Sequence, residues 1–144
     1  MLKRFLKYFK SDKSIKPIKP IKPIKLTGHT KDIIPRKIRN QVWLKYHGNS
    51  NIGICYCCGI TINRYNKGWH CSHVISDIKG GEEKIENLRT CCPHCNLSMG
   101  DQNLYTYMLE KSMKGPGSDN INNYFSKHPE QRNDKRTTNK INHS

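Results

Sequence analysis

The chain has 144 residues, a mass of 16.8 kDa and 34% hydrophobic residues, which allows one small domain with polar extensions and excludes a large multidomain enzyme. Lys and Arg number 26 against 11 Asp and Glu, a formal charge of +15 that calls for a polyanionic partner. No apolar run approaches the roughly 18 residues of a membrane-spanning helix.

The charge is partitioned. Residues 1–40 carry +11, residues 41–110 carry zero and residues 111–144 carry +4. All seven cysteines lie in the neutral middle, at 55, 57, 58, 71, 91, 92 and 95. Met1–Lys10 lacks the continuous apolar stretch of a secretory signal, so an intracellular, reducing compartment is expected, where cysteines bind metal or stay as thiols.

In chain order, Leu2, Phe5, Leu6 and Phe9 recur at spacings of three and four among basic residues, which predicts a short basic amphipathic helix. It reads as an arm that orders on nucleic acid or on the domain, with a membrane-surface or targeting segment as the alternative. Between Ile15 and Lys25 the triplet Ile-Lys-Pro repeats, and proline every third residue favours a polyproline II spacer of roughly 30 Å with lysines along one edge. Residues 1–32 are therefore read as a basic arm and linker.

The folded domain is expected over 33–112. Asp32 can cap a helix, Pro35 suits its first turn, Ile38, Val42 and Tyr46 recur at helical spacing with Trp43 beside them, and Gly48 ends it. Leu104, Tyr107 and Met108 share a helical spacing that reads as core within a second helix opening at Asn103. Residues 113–144, with Gly115, Pro116 and Gly117 as breakers, read as a disordered polar and basic tail.

Two segments repeat one shape, Cys55-Tyr56-Cys57-Cys58-Gly59 and Cys92-Pro93-His94-Cys95, with 33 residues between the pairs. Each C-x-x-C bends so that two thiolates converge, and four thiolates suit a closed, tetrahedral structural zinc site. Cys55, Cys58, Cys92 and Cys95 are the expected ligands. Cys57, Cys71 and Cys91 read as buried thiols, with exchange of Cys57 or Cys91 for a neighbour left open.

Between the knuckles, His70 to Ser76 forms a short strand, Gly80-Gly81 a loop, and Asn87 to Thr90 a second strand that leads into a helix near Pro93. The order His73, Asn87, Asn96, with intervals of 14 and 9 inside two C-x-x-C pairs, resembles the HNH endonuclease family of ββα-metal nucleases. The resemblance covers residues 35–112 and is nearest to compact HNH proteins of large DNA viruses and phages.

The resemblance implies an α+β fold, a small ββα-metal (His-Me finger) domain with two zinc knuckles, flanked by helices and disordered basic tails. It implies a divalent-metal-dependent endonuclease acting on DNA. In that role His73 is the general base, Asn87 fixes the loop and the His73 backbone, and Asn96 ligates a catalytic Mg(II) or Mn(II) beside the structural zinc. An imidazole of unperturbed pKa about 6.5 accepts a proton near neutral pH, and a hard ion prefers oxygen ligands. Most of the family carries Asp directly before the first His, and this chain has Ser72. That departure leaves two readings, a nuclease with one protein ligand to the ion or a catalytically inactive zinc-bearing DNA-binding module. His70 could assist the ion, but packing or solvent is the preferred reading; Arg89 and His94 could touch phosphate or equally lie exposed. The expected partner is DNA, held largely through phosphates by the arm and tail, with a homodimer and an RNA target left open.

Overall fold

A computed structural model describes residues 33–135; the amphipathic segment, the Ile-Lys-Pro repeat, Asp32 and residues 136–144 lie outside the described residues. Helix α1 spans Arg36–His47, begins after Pro35 and ends at Gly48, where a positive φ of 58° breaks the helical path. Val42 and Trp43 are fully buried, and Ile38 and Tyr46 pack against the same core, as the spacing requires. Trp43 donates from Nε1 to the Ser50 carbonyl at 2.7 Å, which turns the chain from α1 into the first hairpin.

Two short antiparallel hairpins follow. Strands β1 (Ile52–Ile54) and β2 (Thr61–Asn63) pair Gly53 with Ile62, and the turn between them carries the first knuckle. Only one cross-strand face of this pair is covered, since Ile52 and Ile54 are exposed while Gly53 and Ile62 are buried. Strands β3 (His70–His73) and β4 (Leu88–Cys91) pair His70 with Cys91 and His73 with Leu88. The expected strand through Ser76 is shorter, because Val74 and Ile75 leave the ladder to bond with Asn87. Helices α2 (Pro93–Met99) and α3 (Leu104–Glu110) then begin at Cys92 and Asn103 caps, and the Asn103 carboxamide accepts from the Tyr105 and Thr106 amides. Leu104, Tyr107 and Met108 are core, as the helical spacing indicates.

Residues 113–135 depart from the expected disordered tail. They form a 3-10 turn at Pro116–Asn120, helix α4 at Ile121–Lys127 and a final 3-10 turn at Pro129–Gln131. Ile121 and Phe125 are buried, and Tyr124 stacks on Tyr105 with ring centroids 4.3 Å apart. Gln131 holds the segment down, bonding Asn103 Nδ2 at 2.8 Å and the Tyr124 hydroxyl, while its carbonyl accepts from Thr106 at 2.7 Å. Polar composition hid this order, because two buried apolar anchors and the half-buried Tyr124 suffice to dock a seven-residue helix against an existing core.

The apparent breakers have a docking role. Gly115 N–H donates to the Cys57 carbonyl at 2.8 Å and Gly117 N–H to the Tyr56 carbonyl at 2.9 Å, so this segment lies directly on the first knuckle. A Cβ at Gly115 would sit 2.5 Å from the Cys57 carbonyl carbon and oxygen. Gly115→Ala is therefore expected to lift residues 115–127 from the knuckle and cost about 1–3 kcal/mol, the usual range for overpacking. Faster hydrogen exchange at Gly115 and Gly117 together with a lower melting temperature is the expected result, and unchanged exchange would show that the backbone accommodates the methyl.

His47 closes the other side of the hairpin. Its Nε2 bonds Thr90 Oγ1 at 2.8 Å, its ring lies 4.6 Å from Trp43, and a Cβ at Gly53 would meet that ring at 2.6 Å. Burial holds the His47 imidazole below its ordinary pKa. The unfolded chain then binds the proton more readily, so stability is intact above about pH 6.5 and falls as pH drops from there through the depressed folded value. Denaturant midpoints of the zinc-loaded protein between about pH 7 and 5.5 should fall more steeply for wild type than for His47→Gln. Parallel curves would assign the acid sensitivity elsewhere.

Candidate metal centre and candidate active site

The first knuckle is a tight turn. Cys55 N–H donates to the Ile60 carbonyl at 2.8 Å, Gly59 N–H donates back to the Cys55 carbonyl at 2.9 Å, and Gly59 adopts a φ of 78°. Tyr56 N–H reaches the Thr90 carbonyl at 2.8 Å, which clamps this turn to the end of β4 and hence to the second knuckle. The second knuckle is the start of α2, where Cys92 Sγ accepts from the Cys95 amide at 3.3 Å. Cys55 Sγ likewise accepts from the Cys92 amide at 3.2 Å. Amides aimed at sulfur stabilise thiolate.

The Sγ atoms of Cys55, Cys58, Cys92 and Cys95 all lie within 4.8 Å of one another. Cys58 and Cys92 Sγ are 3.8 Å apart, and a tetrahedron with arms of about 2.3 Å has edges of about 3.8 Å, so this spacing is that of a zinc–thiolate site. Without a cation the four groups conflict. Hydrogen bonds led by Cys57 push the Cys95 thiol down to about 6, whereas desolvation pushes Cys58 up to about 11 and Cys92 upward too. A divalent cation removes that conflict, and these residues fit zinc as ligands.

Cys57 and Cys91 complete a second triad with Cys55, all fully buried, and their Sγ atoms are 3.6 Å apart. Hydrogen bonds to Cys55 raise the pKa of both and lower that of Cys55, which suits Cys57 and Cys91 to be thiol donors behind a ligating Cys55. Cys71 is buried on β3, and desolvation pushes its thiol up to about 12.

Asn87 organises the loop after β3. Its carbonyl accepts from Val74 N–H at 2.7 Å, its Oδ1 accepts from Ile75 N–H at 2.9 Å, and its Nδ2 donates to the carbonyls of Ile75 and Glu82, each at 3.0 Å. Gly81 lets the loop close on itself, since a Cβ there would lie 1.7 Å from the Ile75 carbonyl oxygen. His73 stands at the end of β3, one residue before this stitched loop, and is half-buried. Lys79, inside the loop, pairs with Asp134 at 2.7 Å, so the C-terminal segment also braces it.

Asn96 projects from the first turns of α2 onto β3. Its Oδ1 accepts from Ser72 Oγ at 2.7 Å and its Nδ2 bonds His70 Nδ1 at 3.0 Å. His70 and Ser72, two residues apart on a strand, share the face that meets α2. The structure thus brings Asn96 to the residue directly before His73, and Asn87 to the residues directly after it. His70, discounted by sequence reasoning, is part of the cluster, and only the α2–β3 packing reveals this. Arg89 is turned inward, with Nη1 on the carbonyls of Glu86 at 2.7 Å and Leu88 at 2.9 Å, whereas His94 is exposed.

The donors around Asn96 are neutral, and neutral oxygen and nitrogen atoms alone hold a hard ion weakly. Substrate phosphate oxygens and water would complete such a site. No helix among the described residues is long and apolar enough to cross a membrane.

No curated protein and no solved structure matches the chain. Residues 55–102, from the first cysteine of one knuckle through α2 beyond the other, match the HNH endonuclease family, and the chain carries an HNH endonuclease family domain in that segment.

Proposed function

We propose that the protein is a divalent-metal-dependent endonuclease that hydrolyses phosphodiester bonds in DNA. The observation that carries this reading is the cluster in which Asn96, Ser72 and His70 meet on β3 beside His73, with Asn87 stitching the adjoining loop. In this reading His73 takes the proton of the attacking water. Asn87 fixes the chain that leaves β3 and so limits the positions His73 can adopt. Asn96, its carboxamide orientation set by Ser72 and His70, presents oxygen to a Mg(II) or Mn(II) ion. That ion, when bound, supplies positive charge to the phosphate and the leaving oxygen. Zinc at Cys55, Cys58, Cys92 and Cys95 has a structural role, and basic residues at both ends of the chain add phosphate contacts with little sequence information.

Plasmid nicking with Mg(II) or Mn(II) tests the reading: wild type should nick. A protein that binds DNA and never nicks with any divalent ion would be a zinc-bearing binding module instead, and a preference for RNA in the same assay would change the substrate.

Ser72 gives the reading a second handle. Ser72 is fully buried and bonded to Asn96, so Ser72→Asp places a carboxylate at the proposed ion site. Burying that charge without an ion should cost about 1–3 kcal/mol, and added Mg(II) or Mn(II) should restore part of the lost melting temperature. The ion concentration for half-maximal nicking should fall about tenfold, equivalent to about 1.4 kcal/mol. A melting temperature indifferent to the ion in Ser72→Asp would place the ion away from Asn96.

A further inference from the structure

A second site is built around β4 of the same hairpin, from residues other than those of the Asn96 cluster. Arg89, the cross-strand partner of Ser72, extends into a cavity of about 330 Å³ whose far wall is α4. Its guanidinium lies over the rings of Tyr56, at 5.3 Å, and Tyr46, at 5.7 Å. Its polar contacts are the Glu86 and Leu88 carbonyls and, at 3.4 Å, the Tyr105 hydroxyl, all of them neutral. Arg89 Nε is buried with no hydrogen-bond partner among the described residues. No Asp or Glu lines the cavity, and its rim adds Lys127, His128, Asn120 and Asn123. Lys127 has no ion pair among the described residues, and the rim residue His128 lies 3.7 Å from Glu130.

A partly buried guanidinium without a counter-ion is costly, and the planar fork of Arg matches the oxygens of a phosphate. Lys127 and the Asn123 carboxamide supply further donors at the mouth. The volume is at the lower end of small-ligand sites, large enough for a phosphate with its sugar and too small for a duplex. We propose that this cavity binds a backbone phosphate of a nucleic acid strand, in a subsite separate from the Asn96 cluster. The assignment rests on the reading of the chain as a nucleic-acid enzyme. It also gives the C-terminal segment a purpose beyond packing, since α4 supplies the mouth of the cavity.

The test uses the full-length, zinc-loaded protein without added Mg(II) or Mn(II), followed by amide NMR during titration with inorganic phosphate and with a short single-stranded oligonucleotide. Both should shift the amides of Arg89, Asn123 and Lys127, the oligonucleotide at lower concentration. Arg89→Gln should weaken oligonucleotide binding about tenfold and reduce the slope of log affinity against log salt by about 0.7, the contribution of one single-strand phosphate. If Arg89→Gln does not fold, Lys127→Gln and Asn123→Ala on the exposed rim should each weaken binding about threefold. Shifts with phosphate alone, with the oligonucleotide leaving these amides untouched, would overturn the assignment to a strand, and silence with both probes would overturn the site. Nicking with a silent cavity sinks this proposal and leaves the endonuclease reading intact; cavity shifts with the oligonucleotide and no nicking do the reverse.

Discussion

Removing the metal from the four-thiol cluster should unfold the domain. Structural zinc in small domains contributes on the order of 10 kcal/mol of apparent binding free energy, comparable to the whole stability of a domain this size. The knuckles here are not peripheral. The first is clamped to β4 through Tyr56 and Thr90, the second is the N-terminal turn of α2, and the Gly115–Gly117 segment lies on the backbone of the first. Loss of the ion leaves thiols that repel one another when ionised at the point where β1, β4, α2 and the C-terminal segment converge. Treatment with a strong chelator should abolish aromatic circular dichroism and the cooperative melting transition. Cys58→Ser and Cys92→Ser should lose the stoichiometric zinc, while Cys57→Ala should retain it with a lower melting temperature. Retention of the metal in Cys58→Ser with loss in Cys57→Ala would move the ligand set to the Cys55, Cys57 and Cys91 triad, and chelation without effect on melting would remove the structural role.

His73→Ala should lower nicking by about 100-fold to 10,000-fold, the range for loss of a positioned general base, or about 3–5 kcal/mol in the barrier. Zinc content and melting temperature should stay close to wild type. Asn96→Ala should lose activity to a similar extent, and raising the divalent ion concentration should recover part of it. Asn87→Ala should differ in kind, because five hydrogen bonds fix the loop at this residue, three of them through its side chain. Each net bond contributes about 0.5–1.5 kcal/mol, so both activity and melting temperature should fall. A fully active His73→Ala protein would assign the proton transfer to another group.

The local signals were legible in the sequence. Each C-x-x-C turn, the α1 spacing of Ile38, Val42 and Tyr46, and the Gly81 loop depend on contacts within a turn, a helix or one hairpin. Two features of the candidate site were not. The place of His70 beside Asn96 requires α2 to cross β3, a contact between residues 26 positions apart. The inward turn of Arg89 requires aromatic rings from α1, the first knuckle and α3, three elements whose meeting no local pattern records.

The C-terminal segment shows the same division most clearly. Composition gave 113–144 a polar, Asn-rich character, and over 113–135 that character is real on the exposed face. Order over 113–135 comes from Ile121, Tyr124 and Phe125 meeting the core beside the first knuckle, and from backbone contact at Gly115 that only glycine permits. The charge remains what the sequence alone determined: +15 in total, concentrated at the ends and absent from the middle. Tertiary structure decided where the proposed anion site lies, because Arg89, inside the neutral stretch, has neutral hydrogen-bond partners and a cavity lined by no Asp or Glu, and burial makes such a cation count for more than a solvated one.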